Sequence, residues 1–387
     1  MINRRFSTLF ATIVAVLLAG CAAVPPNPKS TERGYSAEVV DLLTGKKVLG
    51  HEVSPQELPD LDIFHITPEM EEFARSAIRH SESYYDRVKR LHVALLSSQD
   101  TGGRGIAYNA YVTEVPSITF AQRRANCLSF TLLYVAMARS VGIHAQVNEV
   151  QIPPTWDLRN KKEMVYLRHV NVKVPISRES PNMLNNDDVV IDLEMDRFRS
   201  NYRQTSISDD LAAAQFYSNR AMEYLENNNY VDTFLSLRKS ISLDDRQSYV
   251  WGNLGVLYSR MNLWREAELS YLHGLKVDPE DLTLMNNLSY LYRQTGNKEL
   301  ADKYSRLAQK YRESNPFFQY SLALSAYNQG EYTAALDLIT RAIKREGTDI
   351  RFYELAADIY GKLGRSYNQA DMLKKVKKLK PLEARSG

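Results

Sequence analysis

Apolar residues follow two different periods in the middle of the chain. They recur at helical spacing in 68–96, and again from Cys127 to Val141, where Gly142 is the predicted C-terminal cap. Strict alternation of apolar and polar residues then predicts three strands, which cover 144–152, 165–174 and 189–195. The turn-forming residues of 153–164 predict a loop between the first two strands. The middle of the chain is therefore predicted to fold as helices followed by a small sheet.

The second half of the chain repeats every 34 residues. One register position holds Tyr217, Trp251, Met285, Gln319 and Tyr353, and the small residues Ala221, Gly255, Ser289, Ala323 and Ala357 follow four residues later. The turn position holds Asn228, Asn262, Gly296, Gly330 and Gly364. This period, with small residues where two helices cross, is the signature of tetratricopeptide repeats. We expect five repeats in 214–383, which form an all-α solenoid and bind a protein or peptide partner.

A short apolar run, Phe6–Leu18, follows two arginines at the N-terminus and is too short to span a membrane comfortably. It leads into Leu18-Ala19-Gly20-Cys21, which resembles the bacterial lipobox, whose cysteine is lipidated. The resemblance implies a signal peptide in 1–20, a lipid on Cys21 and, because Ala22 follows, an outer-membrane anchor facing the periplasm. An ordinary signal peptide or an uncleaved anchor is the alternative. The Pro-rich residues 21–34 then predict an unstructured tether.

Charge and cysteine content restrict the chemistry. The chain has a net charge of +3, and the loss of residues 1–20 would remove two arginines and no acidic residue, leaving +1. A nearly neutral protein lacks the basic patch that nucleic acid requires. The sequence has no Cys or His pair at metal-ligand spacing and no phosphate-binding glycine loop, so we expect neither a metal nor a cofactor. Lipidation of Cys21 would leave Cys127 as a lone thiol.

Cys127 occupies a position that favours reactivity. Asn126 is a plausible N-cap, which makes Cys127 the first residue of the predicted helix. The free N–H groups and the positive dipole end of a helix stabilise a thiolate there. The same N–H groups could bind the oxyanion of a tetrahedral intermediate. Taken alone, a cysteine in an apolar helix is more often a packing residue.

A nucleophilic thiol also needs a base and a group that orients the base. His169 lies on the second predicted strand and can reach the start of the helix, whereas His144 would lie roughly 20 Å away at the far end of that helix. On the third strand, Asp192 and Glu194 point to one face. We favour Asp192, because apolar residues flank it and a buried carboxylate needs a partner.

The order of a helix-borne cysteine, a strand-borne histidine and an aspartate on the next strand resembles the transglutaminase-like branch of the papain-like fold. The resemblance covers 108–194 and implies that Cys127 is the nucleophile, His169 the base and Asp192 the residue that orients it. It implies an α+β papain-like domain, which we place in 35–210, before the tetratricopeptide solenoid. The family commonly has glycine two residues before the cysteine, where this chain has Ala125, and Leu128 replaces the tryptophan of animal members. Trp156 could line the cleft instead.

Two functions are consistent with these features. The first is a lipid-anchored cysteine acyl hydrolase or transferase that acts on amide bonds. Water as the second nucleophile would make it a peptidase or amidase, and an amine would make it a crosslinking transglutaminase; bacterial members of the family that it resembles favour hydrolysis. The second is an inactive transglutaminase-like scaffold, whose repeats act as the interaction module.

Overall fold

Helices and short strands make up the described part of the chain before residue 209. The computed structural model describes residues 34–110, 112–151, 157–159, 163–165, 169–176, 188–193, 203–345, 347 and 349–386. The helices are α1 (Ala37–Thr44), α2 (Lys46–Leu49), α3 (Pro68–Ile78), α4 (Tyr84–Leu96), α5 (Pro116–Gln122) and α6 (Cys127–Ser140). The strands are β1 (Ala107–Tyr108), β2 (Arg124–Ala125), β3 (Gln146–Gln151), β4 (Asp157–Arg159), β5 (Glu163–Val165), β6 (His169–Val174), β7 (Val189–Ile191) and β8 (Arg203–Ser206).

The main sheet has four antiparallel strands in the order β7-β6-β3-β8. The three predicted strands are present as β3, β6 and β7, whereas the sequence analysis missed β8 because Arg203–Ser206 has no apolar alternation. This polar strand forms because its backbone pairs with the free edge of β3. The predicted loop was wrong in part, since β4 lies inside it and pairs with β5 in a separate hairpin.

Helix α6 is the centre of the first core. Every residue from Leu128 to Ala138 is buried, so the helix has no solvent-facing side. It packs against β6, α3, α4 and α5, and its Tyr134 hydroxyl donates to the Val88 carbonyl oxygen at 2.8 Å. The helix ends at Ser140, one residue before the predicted end. Gly142 then takes a positive φ of 75°.

From Asp209 to Ser386, the described residues form ten helices in five pairs, which we call the repeat array. The helices are α7 (Asp209–Glu226), α8 (Tyr230–Leu243), α9 (Ser248–Arg260), α10 (Trp264–Val277), α11 (Leu282–Gln294), α12 (Lys298–Ser314), α13 (Pro316–Asn328), α14 (Tyr332–Arg345), α15 (Ile350–Lys362) and α16 (Ser366–Ser386). All five predicted turn positions have positive φ, between 57° and 80°. Asn and Gly are the residues that tolerate this backbone. The predicted all-α solenoid is confirmed.

Among the side chains that the structure describes, the buried apolar residues of the repeat array form separate clusters before and after the junction of α12 and α13, which we call the break. One cluster extends through α12, and a second begins at Ala323 on α13. Gln319 lies at this junction, in the register position that holds Trp251 and Met285 in the two preceding repeats, and it is only 4% exposed. Its Nε2 donates to the Glu313 carbonyl oxygen at 3.2 Å, but its Oε1 has no hydrogen-bond partner among the described residues. A polar side chain at a core position therefore coincides with the break.

The two N-terminal helices pack with the repeat array. Val39, Leu42 and Leu43 of α1 belong to the same apolar cluster as Trp251 and its neighbours. The Tyr258 hydroxyl donates to the Leu42 carbonyl oxygen at 2.6 Å. Helix α7 joins this cluster to the core around α6, because its first half faces that core and its second half faces the array. Within the described part of the chain, no helix has both the length and the apolar character to cross a membrane.

Candidate active site

Cys127 begins α6, as the sequence predicts. The Asn126 side chain caps the helix by accepting a hydrogen bond from the Ser129 backbone N–H at 2.8 Å. Cys127 forms no disulfide with any described residue, and it is partly exposed at the edge of the first core. The thiol is therefore accessible and lies at the end of the helix where N–H groups point outward.

His169 lies between Cys127 and Asp192. It is the first residue of β6, and its Nε2 lies 2.5 Å from Asp192 Oδ2. The Cys127 side chain lies close enough to the imidazole to raise its pKa. Because Nε2 is taken by the carboxylate, Nδ1 is the nitrogen available to the thiol. The structure thus brings together the three residues that the sequence analysis selected.

The two partners control the charge of the imidazole. Burial alone would lower the pKa of His169, since its side chain is only 13% exposed. The interactions with Asp192 and Cys127 outweigh burial and raise the pKa of His169 to about 10. The imidazole is therefore protonated at neutral pH, and it faces the sulfur as a cation.

Asp192 is held from three directions. It is 1% exposed and follows β7 directly. In addition to the contact with His169, Asn171 Nδ2 donates to Asp192 Oδ2 at 3.2 Å. His92 Nε2 lies 3.1 Å from the Asp192 carbonyl oxygen, and burial lowers the pKa of His92, so this ring is neutral and donates the bond. A buried carboxylate with these partners has a fixed orientation.

The sequence analysis missed a buried polar row that extends behind Asp192. Asn148 Nδ2 donates to Asn171 Oδ1 at 2.7 Å and to Gln204 Oε1 at 2.9 Å. The alternation around His169 already places Asn171 on the same face as the histidine. No sequence signal connects His92, which lies on α4, to this sheet. Its contact is between residues a hundred positions apart.

His144, the other candidate base, does not join this cluster. His144 is exposed and lies beyond the opposite end of α6. Ala125, which replaces the expected glycine, is fully buried, and its carbonyl oxygen accepts from the Asn109 N–H at 2.8 Å. Cys21, Trp156 and Glu194 lie outside the described residues.

Comparison with known proteins identifies the second half of the chain. Two tetratricopeptide-repeat family models match residues 250–283 and 282–315. These residues are tetratricopeptide repeats. A tetratricopeptide repeat-containing protein of Caenorhabditis elegans, trd-1, is 26% identical over 135 residues. The match covers 34% of this chain and 18% of that relative's length.

Solved structures match a little less than half of this chain. MamA (AMB-1) is 17% identical, with a TM-score of 0.23, over 43% of this chain and 92% of its own. The tetratricopeptide protein YrrB is 18% identical and has a TM-score of 0.24. The match covers 45% of this chain and 90% of the YrrB chain. PilF of Pseudomonas aeruginosa is 19% identical and has a TM-score of 0.25. The match covers 45% of this chain and 80% of the PilF chain.

Proposed function

We propose that this chain is a transglutaminase-like cysteine enzyme that cleaves or transfers acyl groups at amide bonds. The observation that carries the proposal is the position of His169, whose Nε2 lies 2.5 Å from Asp192 Oδ2 and whose pKa is raised by both Asp192 and Cys127. In this proposal, 35–210 form the papain-like catalytic domain and 214–383 form the tetratricopeptide array. Cys127 is the proposed nucleophile, His169 the proposed acid and base, and Asp192 the group that orients His169.

The proposed chemistry follows from the protonation state of the pair. The Cys127 thiolate attacks the amide carbonyl carbon, and the electron pair of the C=O bond moves to the oxygen. The N–H groups of the first turn of α6 other than that of Ser129, which Asn126 binds, stabilise that oxyanion. The C–N bond then breaks, and the imidazolium of His169 gives its proton to the leaving amine, which leaves an acyl-thioester. A second nucleophile, activated by the now neutral His169, attacks the thioester and releases Cys127.

Water is the proposed second nucleophile, which makes the enzyme a peptidase or amidase. Bacterial members of the family that the chain resembles favour this outcome. An amine nucleophile would instead make the enzyme a transglutaminase. Incubation with a peptide pool in H₂¹⁸O distinguishes the two outcomes, because hydrolysis places the label in the new carboxylate and transfer does not.

Labelling of Cys127 with an activity-based cysteine probe tests the proposal. We expect the wild type to form an adduct at Cys127 in native protein and not in urea-unfolded protein. His169→Ala should lose the adduct, whereas His144→Ala, which changes the exposed histidine beyond the other end of α6, should keep it. Equal labelling of His169→Ala and the wild type would favour the inactive scaffold.

The repeat array supports a second proposed function, the binding of an acidic peptide. A groove of about 910 Å³ lies at the break in the array core, between α11 and α14. Its described lining includes the basic residues Arg341, Lys344 and Arg345 and the acidic residue Glu313. This surface would bind a substrate protein or a partner.

Charge-swapped variants test the groove. We expect a Glu-rich peptide to bind the full chain. The double variant Arg341→Glu/Lys344→Glu should bind this peptide more weakly, and its binding should depend less on salt. Lys374→Glu with Lys375→Glu, on α16, is the matched control. Unchanged binding in the groove variant would contradict the assignment.

Lipidation of Cys21 and a periplasm-facing position in the outer membrane complete the proposal. The support is the sequence Leu18–Cys21, followed by Ala22. Metabolic labelling with an alkyne fatty acid, in the wild type and in Cys21→Ser, tests the lipid. Separation of the inner and outer membranes tests the location, and label retained in Cys21→Ser would contradict the assignment.

A further inference from the structure

The segment 112–115 is fixed to the start of α6 through one buried hydroxyl group. The Glu114 N–H donates to Ser129 Oγ at 2.9 Å, and Ser129 Oγ donates to the Val112 carbonyl oxygen at 3.3 Å. Ser129 and Thr113 are both almost completely buried. Movement of this segment would therefore break hydrogen bonds in the first turn of the helix that carries Cys127.

The first helix of the tetratricopeptide array holds the same segment from the other side. Glu223 Oε1 accepts from the Thr113 backbone N–H at 2.8 Å, and Arg220 Nη1 lies 3.3 Å from the Thr113 carbonyl oxygen. Arg220 and Glu223 are one turn apart on α7 and also pair with each other at 3.3 Å. Both backbone polar groups of one residue are thus bound by two side chains of the array. Arg220 is further held by Glu114 and Tyr224.

The side chain of Thr113 continues the connection into the candidate active site. Thr113 Oγ1 accepts from Asn126 Nδ2 at 2.8 Å, and Asn126 Oδ1 accepts from the Ser129 N–H at 2.8 Å. Both ends of the Asn126 amide are therefore committed, and the residue is 7% exposed. Asn126 directly precedes Cys127, so its orientation determines where the first turn of α6 begins.

The proposed function gives Arg220 and Glu223 no role. Packing between the array and the preceding part of the chain would not require a partly buried ion pair that binds both backbone polar groups of Thr113. Burial raises the pKa of Glu223, whereas the bonds from Thr113 and the charge of Arg220 oppose that effect. Burying a carboxylate is costly unless its partners are well placed. The array contacts the preceding part of the chain elsewhere through the exposed pair Lys239–Asp60, at 2.7 Å, which does not touch 112–115.

We propose that Glu223 and Arg220 are positioning residues for Cys127, which act through Thr113 and Asn126. The inference rests on the proposed function, because it assigns these residues to the nucleophile of that site. The tetratricopeptide array is then part of the machinery that sets the reactivity of the thiol. A ligand that shifts α7 would change this reactivity without touching the candidate active site.

Alkylation and hydrogen exchange of the full chain in detergent test this inference together. Iodoacetamide labelling of Cys127 is followed by mass spectrometry from pH 5 to 10, and amide exchange is followed in the peptide that contains Ser129. Glu223→Ala removes the acceptor for the Thr113 N–H, and Thr113→Val removes the acceptor for Asn126 while keeping the side-chain shape. Glu223→Gln keeps an acceptor oxygen, and Lys239→Ala is the matched interface control.

We expect Glu223→Ala and Thr113→Val to slow alkylation at pH 7 about tenfold or more, since small displacements of reacting groups have effects of this size. Their pH profiles should move toward that of a free thiol, and the Ser129 amide should exchange faster. Glu223→Gln should recover most of the rate, and Lys239→Ala should match the wild type.

The inference is overturned if folded Glu223→Ala and Thr113→Val keep the wild-type rate, pH profile and Ser129 exchange. A different result would overturn only the proposed function. In that case the wild-type thiol reacts no faster than a free thiol, while Glu223→Ala still accelerates exchange at Ser129 and Lys239→Ala does not. Far-ultraviolet circular dichroism of each variant verifies that it is folded.

Discussion

His169 and Asp192 form a 2.5 Å contact although they are not opposite each other in the sheet. β6 and β7 pair Val172 with Ile191, so Asp192 comes level with Asn171, and His169 lies two residues further along β6. Strand β7 ends at Ile191, and Asp192 reaches the imidazole diagonally. The carboxylate that contacts His169 therefore does not come from the position directly opposite it in the sheet. Asn171 and His92 hold Asp192 in the diagonal position.

Removal of the Asp192 carboxylate is expected to abolish most of the activity. Asp192→Ala should lower turnover of a reactive substrate or probe by about 100-fold or more, because the imidazole loses the group that orients it. Asp188→Ala is the matched control, since Asp188 precedes the same strand and pairs at 2.6 Å with the partly exposed Lys173. Its loss should stay within about threefold.

Asp192→Asn keeps an acceptor oxygen and separates orientation from charge. It should fold as stably as the wild type by urea titration and lose less activity than Asp192→Ala. Small and equal losses in Asp192→Ala and Asp188→Ala would mean that Cys127 and His169 act as a dyad.

The charge state of His169 predicts the pH profile of Cys127 alkylation. Burial lowers the pKa of His169, but Asp192 and Cys127 raise it to about 10. The imidazolium is therefore present below about pH 10 and lost above it, so the rate of Cys127 alkylation should vary little through the neutral range and change near pH 10. His169→Ala should give a single rise around pH 8.5, as a free thiol does.

The neutral His92 provides a control for that profile. His92→Gln keeps an N–H that can donate to the Asp192 carbonyl oxygen. The alkylation rate of this variant should therefore follow that of the wild type, both in the neutral range and near pH 10. A wild-type change centred at about 6.5, the ordinary pKa of histidine, would contradict the paired state.

Gln319 predicts that the array can be stabilised at its break. Gln319→Met removes a buried oxygen that has no partner among the described residues, and should raise the free energy of unfolding by about 1 kcal/mol. The reverse change at the equivalent position, Met285→Gln, should lower it by about 2 kcal/mol. Urea unfolding of both variants checks the pair. A lower free energy of unfolding in Gln319→Met would show that the Gln319 amide stabilises the array on balance.

Gly255 is the small residue that allows α9 to approach α10. A Cβ atom there would lie 2.4 Å from the ring of Tyr271, which is 3% exposed and cannot easily move. Gly255→Ala should therefore lower the free energy of unfolding by about 1–3 kcal/mol, as overpacking does. In contrast, Gly361→Ala should be neutral or stabilising by up to about 1 kcal/mol, because its Cβ meets only the flexible amide of Gln369. Calorimetry measures the stability of both variants. Equal changes in Gly255→Ala and Gly361→Ala would contradict the explanation by overpacking.

The sequence by itself determined the features that depend on local chemistry. The 34-residue period predicts the helix pairs of the repeat array, because each turn needs a residue that tolerates positive φ and each crossing needs a small one. Asn126 predicts the start of α6, because a capping side chain acts within three residues. The order of Cys127, His169 and Asp192 was also sufficient to select three residues that the structure brings together.

Only the tertiary structure decided how these parts act on one another. Strand β8 has no sequence pattern of its own and exists because β3 offers a free edge. His92 meets Asp192, and Glu223 meets Thr113, across more than ninety residues of chain. A hydrogen bond of that kind depends on where two separately folded elements dock, and the period or propensity of neither element carries that information. The charge of His169 is likewise set by the burial and the two partners that this docking creates.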